Sequence, residues 1–327
     1  VVGLVRRIST EPPRRVRGKF DFSEAIDDGR LILEDGDHQS ISSLIRIIGQ
    51  YMPMEIYNLA WQSHVGLSFK IPEVSLQDYQ GYINLITAVE SQPDDYSKRV
   101  RIYQASTSEM FGDYYKARDD ISMHEFTPLR PNSPYAIAKT AAHQYGQMKR
   151  DQGMFISNGI LFNHESEIRG GDFVTQKIVR GVVKWVATAE PIRLGNLDSG
   201  RDWGYAGDFV EGMWEMLQHK AGGDFVLATG VSRTVREFVE AAFGSLNYKI
   251  VWDPKGYADD SGMYEVGRVN GALAVMVDPK FYRPNDVNYL NGDSARASIV
   301  LNWEPQTSFE AMVQIMINAE IDRVKGD

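Results

Sequence analysis

The chain has no cysteine anywhere in its 327 residues. That excludes disulfides, thiol nucleophiles and cysteine-held metals, and it suits a reducing, cytoplasmic compartment. No apolar run reaches the roughly 18 residues of a membrane span, and the first residues carry no secretory pattern. Positive charge is in deficit: 35 Lys and Arg stand against 44 Asp and Glu, a net charge of −9, which argues against a nucleic-acid partner. The histidines (His38, His64, His124, His143, His164 and His219) show no metal-ligand spacing. Internal repeats and low-complexity tracts are missing too. With 43% hydrophobic residues, the expectation is a soluble globular chain of one large domain or two smaller ones.

Apolar runs alternate with helical patterns along the first half. "VVGLVRR" (1–7), "RLILEDGD" (30–37), "MEIYNLAWQ" (54–62), "RVRIYQASTSEMFG" (99–112) and "MFISNGILFN" (154–163) read as strands, the fourth running into a hydroxyl-rich loop. Helices are predicted between them, including "SISSLIRIIGQY" and the stretch through "QGYINLITAVES". Such alternation signals βαβ units in a right-handed, doubly wound parallel sheet of Rossmann type. Ligands of these sheets lie beyond the carboxyl ends of the strands. Past residue 163 the pattern loosens: helices are predicted at 175–190, 206–220 and in "TVREFVEAAFGSL", with a strand in "DFVLATG". The stretch 253–272, rich in glycine and charge, reads as a mobile loop. A smaller α/β domain interleaved with the sheet domain follows from this.

"PNSPYAIAKT" places Tyr135 and Lys139 one turn apart at the start of a helix, with Ser133 as N-cap and Pro134 as first residue. An ammonium near a phenol favours the phenolate, which equips a tyrosine as a general base. Taken alone, the spacing also fits a plain surface helix. "STSE" adds Thr107, Ser108 and Glu109 at a predicted strand end. Hydroxyls there can polarise a sugar hydroxyl or ketone, and a carboxylate can take the proton next to a carbonyl.

Together "STSEMFG", "SPYAIAKT", "NGILFNHES", "FVTQKI", "LGNLDSGRDWGYAGDFV", "DFVLATG" and "FYRPNDV" resemble, in order and over nearly the whole chain, the GDP-mannose 4,6-dehydratases, extended short-chain dehydrogenase/reductases. The resemblance implies a lyase with NADP held through a redox-neutral cycle. Tyr135, assisted by Lys139, takes the proton of the sugar's 4-hydroxyl as hydride leaves carbon 4. Glu109 removes the carbon 5 proton as water leaves carbon 6, where the hydride returns. Thr107 bonds at carbon 4, with Ser108 assisting. Asn163, Lys177, Arg201 and Arg283 match substrate positions suited to a pyrophosphate; Val174, Leu194, Gly195 and Asp286 are weaker matches. For the cofactor the matches are Arg6 and Arg7, suited to a 2′-phosphate, then Asp37, Leu59, Ala60, Gln62, Ser63, His164 and Arg169, with Tyr135 and Lys139. "RRIST" and "PPRR" resemble the arginine loop through which such enzymes pair, implying a homodimer or homotetramer. The cofactor domain is expected at 1–162 plus about 204–229, and the substrate domain at about 163–203 plus 230–327.

The sequence departs from the family's pattern in several places. The opening strand and glycine-rich turn, GxxGxxG, do not occur. We expect roughly 25 to 30 preceding residues to supply them; the alternative is a truncated relative unable to hold NADP. Trp61 stands where the family has alanine beside the nicotinamide ribose, His38 replaces a leucine, Ile168 an arginine, and Glu73, Val74 and Ser75 stand where a tyrosine is expected. "YYKARDDISM" lengthens the loop after Glu109. Two other readings follow: a dehydratase or epimerase acting on another nucleotide sugar such as a GDP-heptose, or a catalytically idle nucleotide-sugar-binding relative.

Overall fold

Short β-branched and aromatic runs separated by longer amphipathic stretches fold as an α/β protein of Rossmann type. The computed structural model describes residues 1–6, 22–112, 122–259, 262–281 and 290–326. Arg7, Arg283, Asp286, the "PPRR" segment and most of the lengthened loop after Glu109 lie outside the described residues. Two compact units emerge: Val1–Gly112 with Pro128–Ile160 and Met213–Phe225, and Asp113–Thr127 with Leu161–Gly212 and Val226–Asp327.

In the first unit the order is β1 (Val2–Val5), α1 (Ser23–Asp27), β2 (Ile32–Asp35), α2 (Ile41–Tyr51), β3 (Glu55–Asn58), α3 (Val65–Ser68), α4 (Pro72–Glu90), α5 (Tyr96–Arg99), β4 (Arg101–Ala105), a 3-10 turn (Ser108–Phe111), α6 (Pro134–Asp151) and β5 (Phe155–Leu161). β1 pairs β2 in parallel, while β4 lies between β3 and β5, parallel to both. Parallel strands buried on both faces need continuous apolar sequence, and Ile102 and Tyr103 of β4 are fully buried. Helix α2 starts at Ser40, whose hydroxyl accepts the Ser43 N–H. Its Leu44 and Ile48 join Tyr82, Ile86 and Val89 of α4, Ile102, Ala142 and Ile156 in one core. The strand expected over 54–62 stops at Asn58. Residues 59–63 form an irregular segment in which Leu59, Ala60 and Ser63 are exposed.

The remaining elements are β6 (Asn163–Glu165), α7 (Val174–Thr188), β7 (Ile192–Leu194), β8 (Gly200–Tyr205), α8 (Ala206–Gln218), β9 (Asp224–Leu227), β10 (Ser232–Thr234), α9 (Val235–Gly244), β11 (Ile250–Asp259), β12 (Gly262–Val269), β13 (Ala272–Val277), α10 (Ala295–Leu301) and α11 (Phe309–Gly326). β9 completes the order β3-β4-β5-β9; the other sheets run β10-β8-β6 and β11-β12-β13-β7. The single strand expected over 154–163 therefore splits at Phe162, with Asn163–Glu165 joining β8 instead. α9 opens with a reciprocal capping box between Thr234 and Glu237. The second core gathers Ile178, Val182 and Trp185 with Phe238, Phe243, Val275, Met316 and Ile317.

The mobile loop expected over 253–272 is a correction: it forms most of an antiparallel pair, β11 and β12, that leads into β13. Two of its glycines, Gly256 and Gly267, are packing positions. A Cβ on Gly267 would sit 2.4 Å from Ile250 Cδ1, and one on Gly256 2.3 Å from Val266 Cγ2. Its charge is spent locally, since Arg236 forks Glu265 at 2.6 and 3.1 Å. Asn270 and Gly271, both at positive φ (50° and 82°), make the tight β12–β13 turn.

Candidate functional site

The catalytic candidates all lie in the first unit. Ser133 caps α6, its Oγ accepting the Ala136 N–H at 3.1 Å, and Pro134 opens the helix. Tyr135 and Lys139 both occupy its buried face. At the end of β4, Thr107 caps the 3-10 turn, its Oγ1 accepting the Glu109 N–H at 3.3 Å. That turn packs against α6. The Lys139 ammonium donates to the Ala105 carbonyl oxygen at 2.8 Å, two residues ahead of Thr107. Thr107, Ser108, Tyr135 and Lys139 are buried, and Glu109 is half-buried.

Burial dominates the electrostatics here. It pushes the Lys139 ammonium down to about 7, against an opposing pull from the Asp78 carboxylate. Asp78, buried in α4, accepts the Gln62 backbone N–H at 2.8 Å and lies 3.2 Å from His38 Nε2. The imidazole fits because position 81 is glycine, where a Cβ would fall 1.8 Å from His38 Cδ2. The Trp61 ring covers Lys139, with the ammonium 4.2 Å from its centroid; the Tyr135 ring is 5.8 Å away. Nothing in the sequence pattern marked Asp78, or this use of Trp61.

Of the cofactor candidates in this unit, Arg6 is exposed just past the end of β1. Asp37 follows β2, its carboxylate accepting the Gln39 N–H at 2.9 Å. Leu59, Ala60, Gln62 and Ser63 follow β3. Because β1–β2 and β3–β4 are parallel pairs, Arg6 and Asp37 share one sheet end, and Leu59 shares another with Thr107.

The other candidates lie in the second unit. His164 stacks on Phe209 at 4.9 Å, and its Nδ1 donates to the Phe162 carbonyl oxygen at 2.8 Å; burial pushes the imidazole down to about 4. Arg169 is held by the buried Glu165 carboxylate at 3.0 Å and lies 3.5 Å over the Phe173 ring. Glu165 also accepts the Thr175 hydroxyl at 2.8 Å. Lys177 lies 3.6 Å over the Phe281 ring, and burial pushes its ammonium down. Gly195 meets the same residue, a Cβ there falling 2.5 Å from the Phe281 carbonyl oxygen, and Leu194 is buried beside it. Lys177, Leu194 and Gly195 are thus brought together at Phe281. Val174 begins α7 and packs on the core, Asn163 begins β6, and Arg201 in β8 pairs with Arg233 in β10.

Comparison with known proteins bears on this arrangement. A family model described as GDP-mannose 4,6 dehydratase matches residues 1–316. The chain is 42% identical to GDP-mannose 4,6 dehydratase of Drosophila melanogaster, over 99% of this chain and 80% of that protein. It is 40% identical to the human GDP-mannose 4,6 dehydratase (99% and 86% covered) and 40% identical to that of Sinorhizobium fredii (100% and 91% covered). Two solved structures share the fold. DesIV, a dTDP-glucose 4,6-dehydratase from Streptomyces venezuelae, superposes as a double mutant with NAD and DAU bound at a TM-score of 0.75 and 20% identity, covering 99% of this chain and 88% of that one. RMD from Pseudomonas aeruginosa, complexed with NADPH, gives 0.72 at 20% identity, with 90% and 91% covered.

Proposed function

The chain belongs to the GDP-mannose 4,6-dehydratase family, and on that premise we propose the roles of its residues in converting GDP-mannose to GDP-4-keto-6-deoxymannose with loss of water. It is a lyase of nucleotide-sugar metabolism that uses NADP. The observation that carries this reading is the family match over residues 1–316; the buried constellation on α6 and the β4 turn supplies a set of groups for the chemistry.

The described residues fit the cofactor. Arg6 places an exposed cation at a strand end, as a 2′-phosphate requires. Lys139 spends one N–H on Ala105 and keeps its other face under an aromatic ring rather than a protein oxygen. Bound NADP supplies the hydride chemistry, taking up and returning the same electrons. Tyr135 takes the proton of the 4-hydroxyl, with Lys139 as the positive charge that favours its phenolate. Thr107 and Ser108 hold the oxygen on carbon 4, which becomes a ketone. That ketone acidifies carbon 5, whose proton Glu109 removes and passes to the hydroxyl leaving carbon 6. One water departs, and no net oxidation occurs.

The cofactor falls to residues 1–162 and about 204–229 in this reading, and the substrate to about 163–203 and 230–327. Arg7, Asp37, Leu59, Ala60, Gln62, Ser63, His164 and Arg169 contribute to the cofactor. Asn163, Lys177, Arg201 and Arg283 hold the pyrophosphate, with Val174, Leu194, Gly195 and Asp286 around it. The protein works as a homodimer or homotetramer in the cytoplasm. The resemblance of "RRIST" and "PPRR" to a pairing loop and the lack of cysteine support this; among the described residues, no helix is long and apolar enough to cross a membrane.

Mass analysis of the sugar after incubation with GDP-mannose and NADP tests the reaction. A product lighter by one water, with no NADPH released, is expected. An unchanged sugar would overturn the assignment.

A further inference from the structure

Lys139 is sealed from solvent at 4% exposure. Three neighbours close it in. The Ala105 carbonyl oxygen belongs to β4, the Tyr135 ring to the same helix as Lys139, and the Trp61 ring to the irregular segment after β3. Strand and helix cannot give way without breaking the ladder and turns that hold them. The Trp61 side chain can, since it stands in an irregular segment outside helix and strand, with Leu59, Ala60 and Ser63 exposed on either side of it.

The indole packs against the core that α2, α4 and α6 share, but its polar end is not anchored. Its N–H is buried and has no hydrogen-bond partner among the described residues, a situation that costs more than an exposed donor would. Its attachment to Lys139 is a single cation–π contact at 4.2 Å. The backbone just beyond it is pinned, because the buried Asp78 accepts the Gln62 N–H at 2.8 Å. Movement at this point is therefore a rotation of the Trp61 side chain about a fixed backbone, and it releases the N–H to find an acceptor.

We propose that Trp61 is a positioning residue that competes with the cofactor for Lys139: its ring covers the ammonium until an oxygen of the dinucleotide displaces it. This rests on the cofactor reading given above. Before the cofactor binds, the same ring keeps the ammonium dry and in place. The covering makes binding weaker than the contacts of the loaded site alone would allow, because the cation–π contact has to be exchanged.

Calorimetric titration of NADPH into the purified wild type, W61A and W61F tests the competition. W61A removes the cover and binds NADPH roughly tenfold more tightly, the equivalent of one desolvated cation–π contact. W61F keeps a ring without the N–H, supports the fold, and falls between the two. The second readout needs no cofactor: the rate at which an amine-acylating reagent modifies Lys139, followed by peptide mass analysis, rises on the order of tenfold in W61A. A merely structural role for Trp61 would weaken NADPH binding, so equal or weaker binding by W61A and W61F overturns the proposal. If none of the three proteins binds NADPH while W61A still exposes Lys139, it is the cofactor reading that fails, and the competition falls with it.

Discussion

His143 Nδ1 lies 3.0 Å from Ser106 Oγ, and both residues are buried. One turn earlier on the same helix, Lys139 holds the Ala105 carbonyl oxygen at 2.8 Å. Two side chains of α6 thus fasten consecutive residues at the end of β4, and Thr107, Ser108 and Glu109 follow directly. The far nitrogen of His143 sits 3.1 Å from Gln147 Nε2, which also donates to Asp224 at 2.7 Å. An amide nitrogen can only donate, so His143 Nε2 accepts and Nδ1–H donates to Ser106. Burial pushes the imidazole down and keeps it in that neutral form. Asp224 is anchored in turn: burial alone would raise it, but the Arg150 fork at 2.9 and 3.0 Å, with the Gln147 amide, holds it below the usual carboxylate range.

Replacing His143 by alanine cuts this chain where it meets the turn that carries Thr107 and Glu109. Ser106 and Gln147 lose buried partners, at a cost of roughly 2 kcal/mol, measurable by urea unfolding. Thr107 and Glu109 lose part of their positioning, so kcat falls by about tenfold or more with little change in KM. A drop in stability with kcat intact would show that the His143–Ser106 bond is scaffolding alone.

Y135F and E109Q separate the two halves of the reaction. Without its phenolic oxygen, Tyr135 cannot take the 4-hydroxyl proton, and turnover falls by about a thousandfold. E109Q keeps the first step and loses the second: water loss slows by roughly a hundredfold or more, while deuterium placed on carbon 4 is still removed from that position. Mass analysis of labelled sugar reads both. Full water loss by E109Q would assign the carbon 5 proton to another group.

The grouping of these residues was legible in the sequence because it is local. Ser133, Pro134, Tyr135 and Lys139 fall within one helical turn or two, and Thr107 and Glu109 follow a run of buried β4 residues. Trp61 over Lys139 was not legible, since the two residues are 78 positions apart in the chain and meet only through the packing of β3, β4 and α6. Asp78 was hidden for the same reason, in the middle of a helix whose polar residues otherwise read as solvent-facing. The strands at 250–277 were missed for a different cause. Glycine and charge suggest a loop, whereas Gly256 and Gly267 answer to close side-chain packing, and the Asn270-Gly271 pair is a hairpin signal.

His164 should govern part of the acid stability. Its imidazole titrates at about 4 in the folded chain against an ordinary value of 6.5, so the fold holds it neutral. Above about pH 6.5 neither state binds the proton, and the full stability is present. As pH falls from about 6.5 towards 4, the unfolded chain takes up a proton that the folded chain refuses, and stability is lost at about 1.4 kcal/mol per pH unit. Urea unfolding at pH 7.5 and pH 5 should show H164F, which keeps an aromatic partner for Phe209, losing about 2 kcal/mol less than the wild type across that interval. Equal losses would place the acid sensitivity elsewhere.

Lys139 sets function against stability. Burial lowers its ammonium from 10.5 to about 7, so the folded state disfavours the charge that the proposed chemistry requires. Between about pH 7 and 10.5 the unfolded chain binds the proton more readily than the folded one. Wild-type stability from this group therefore rises with pH across that window, and the penalty is largest at or below pH 7. K139M fills much of the same space without a charge. It should be more stable than the wild type by roughly 2–4 kcal/mol at pH 7, with the gap closing towards pH 10. It should also be inactive, because Tyr135 has lost the positive charge that favours its phenolate. Urea unfolding at both pH values, beside the sugar assay, checks the two expectations together. A variant that is inactive and less stable at pH 7 would mean that the Ala105 bond and the Trp61 contact outweigh the burial of the charge.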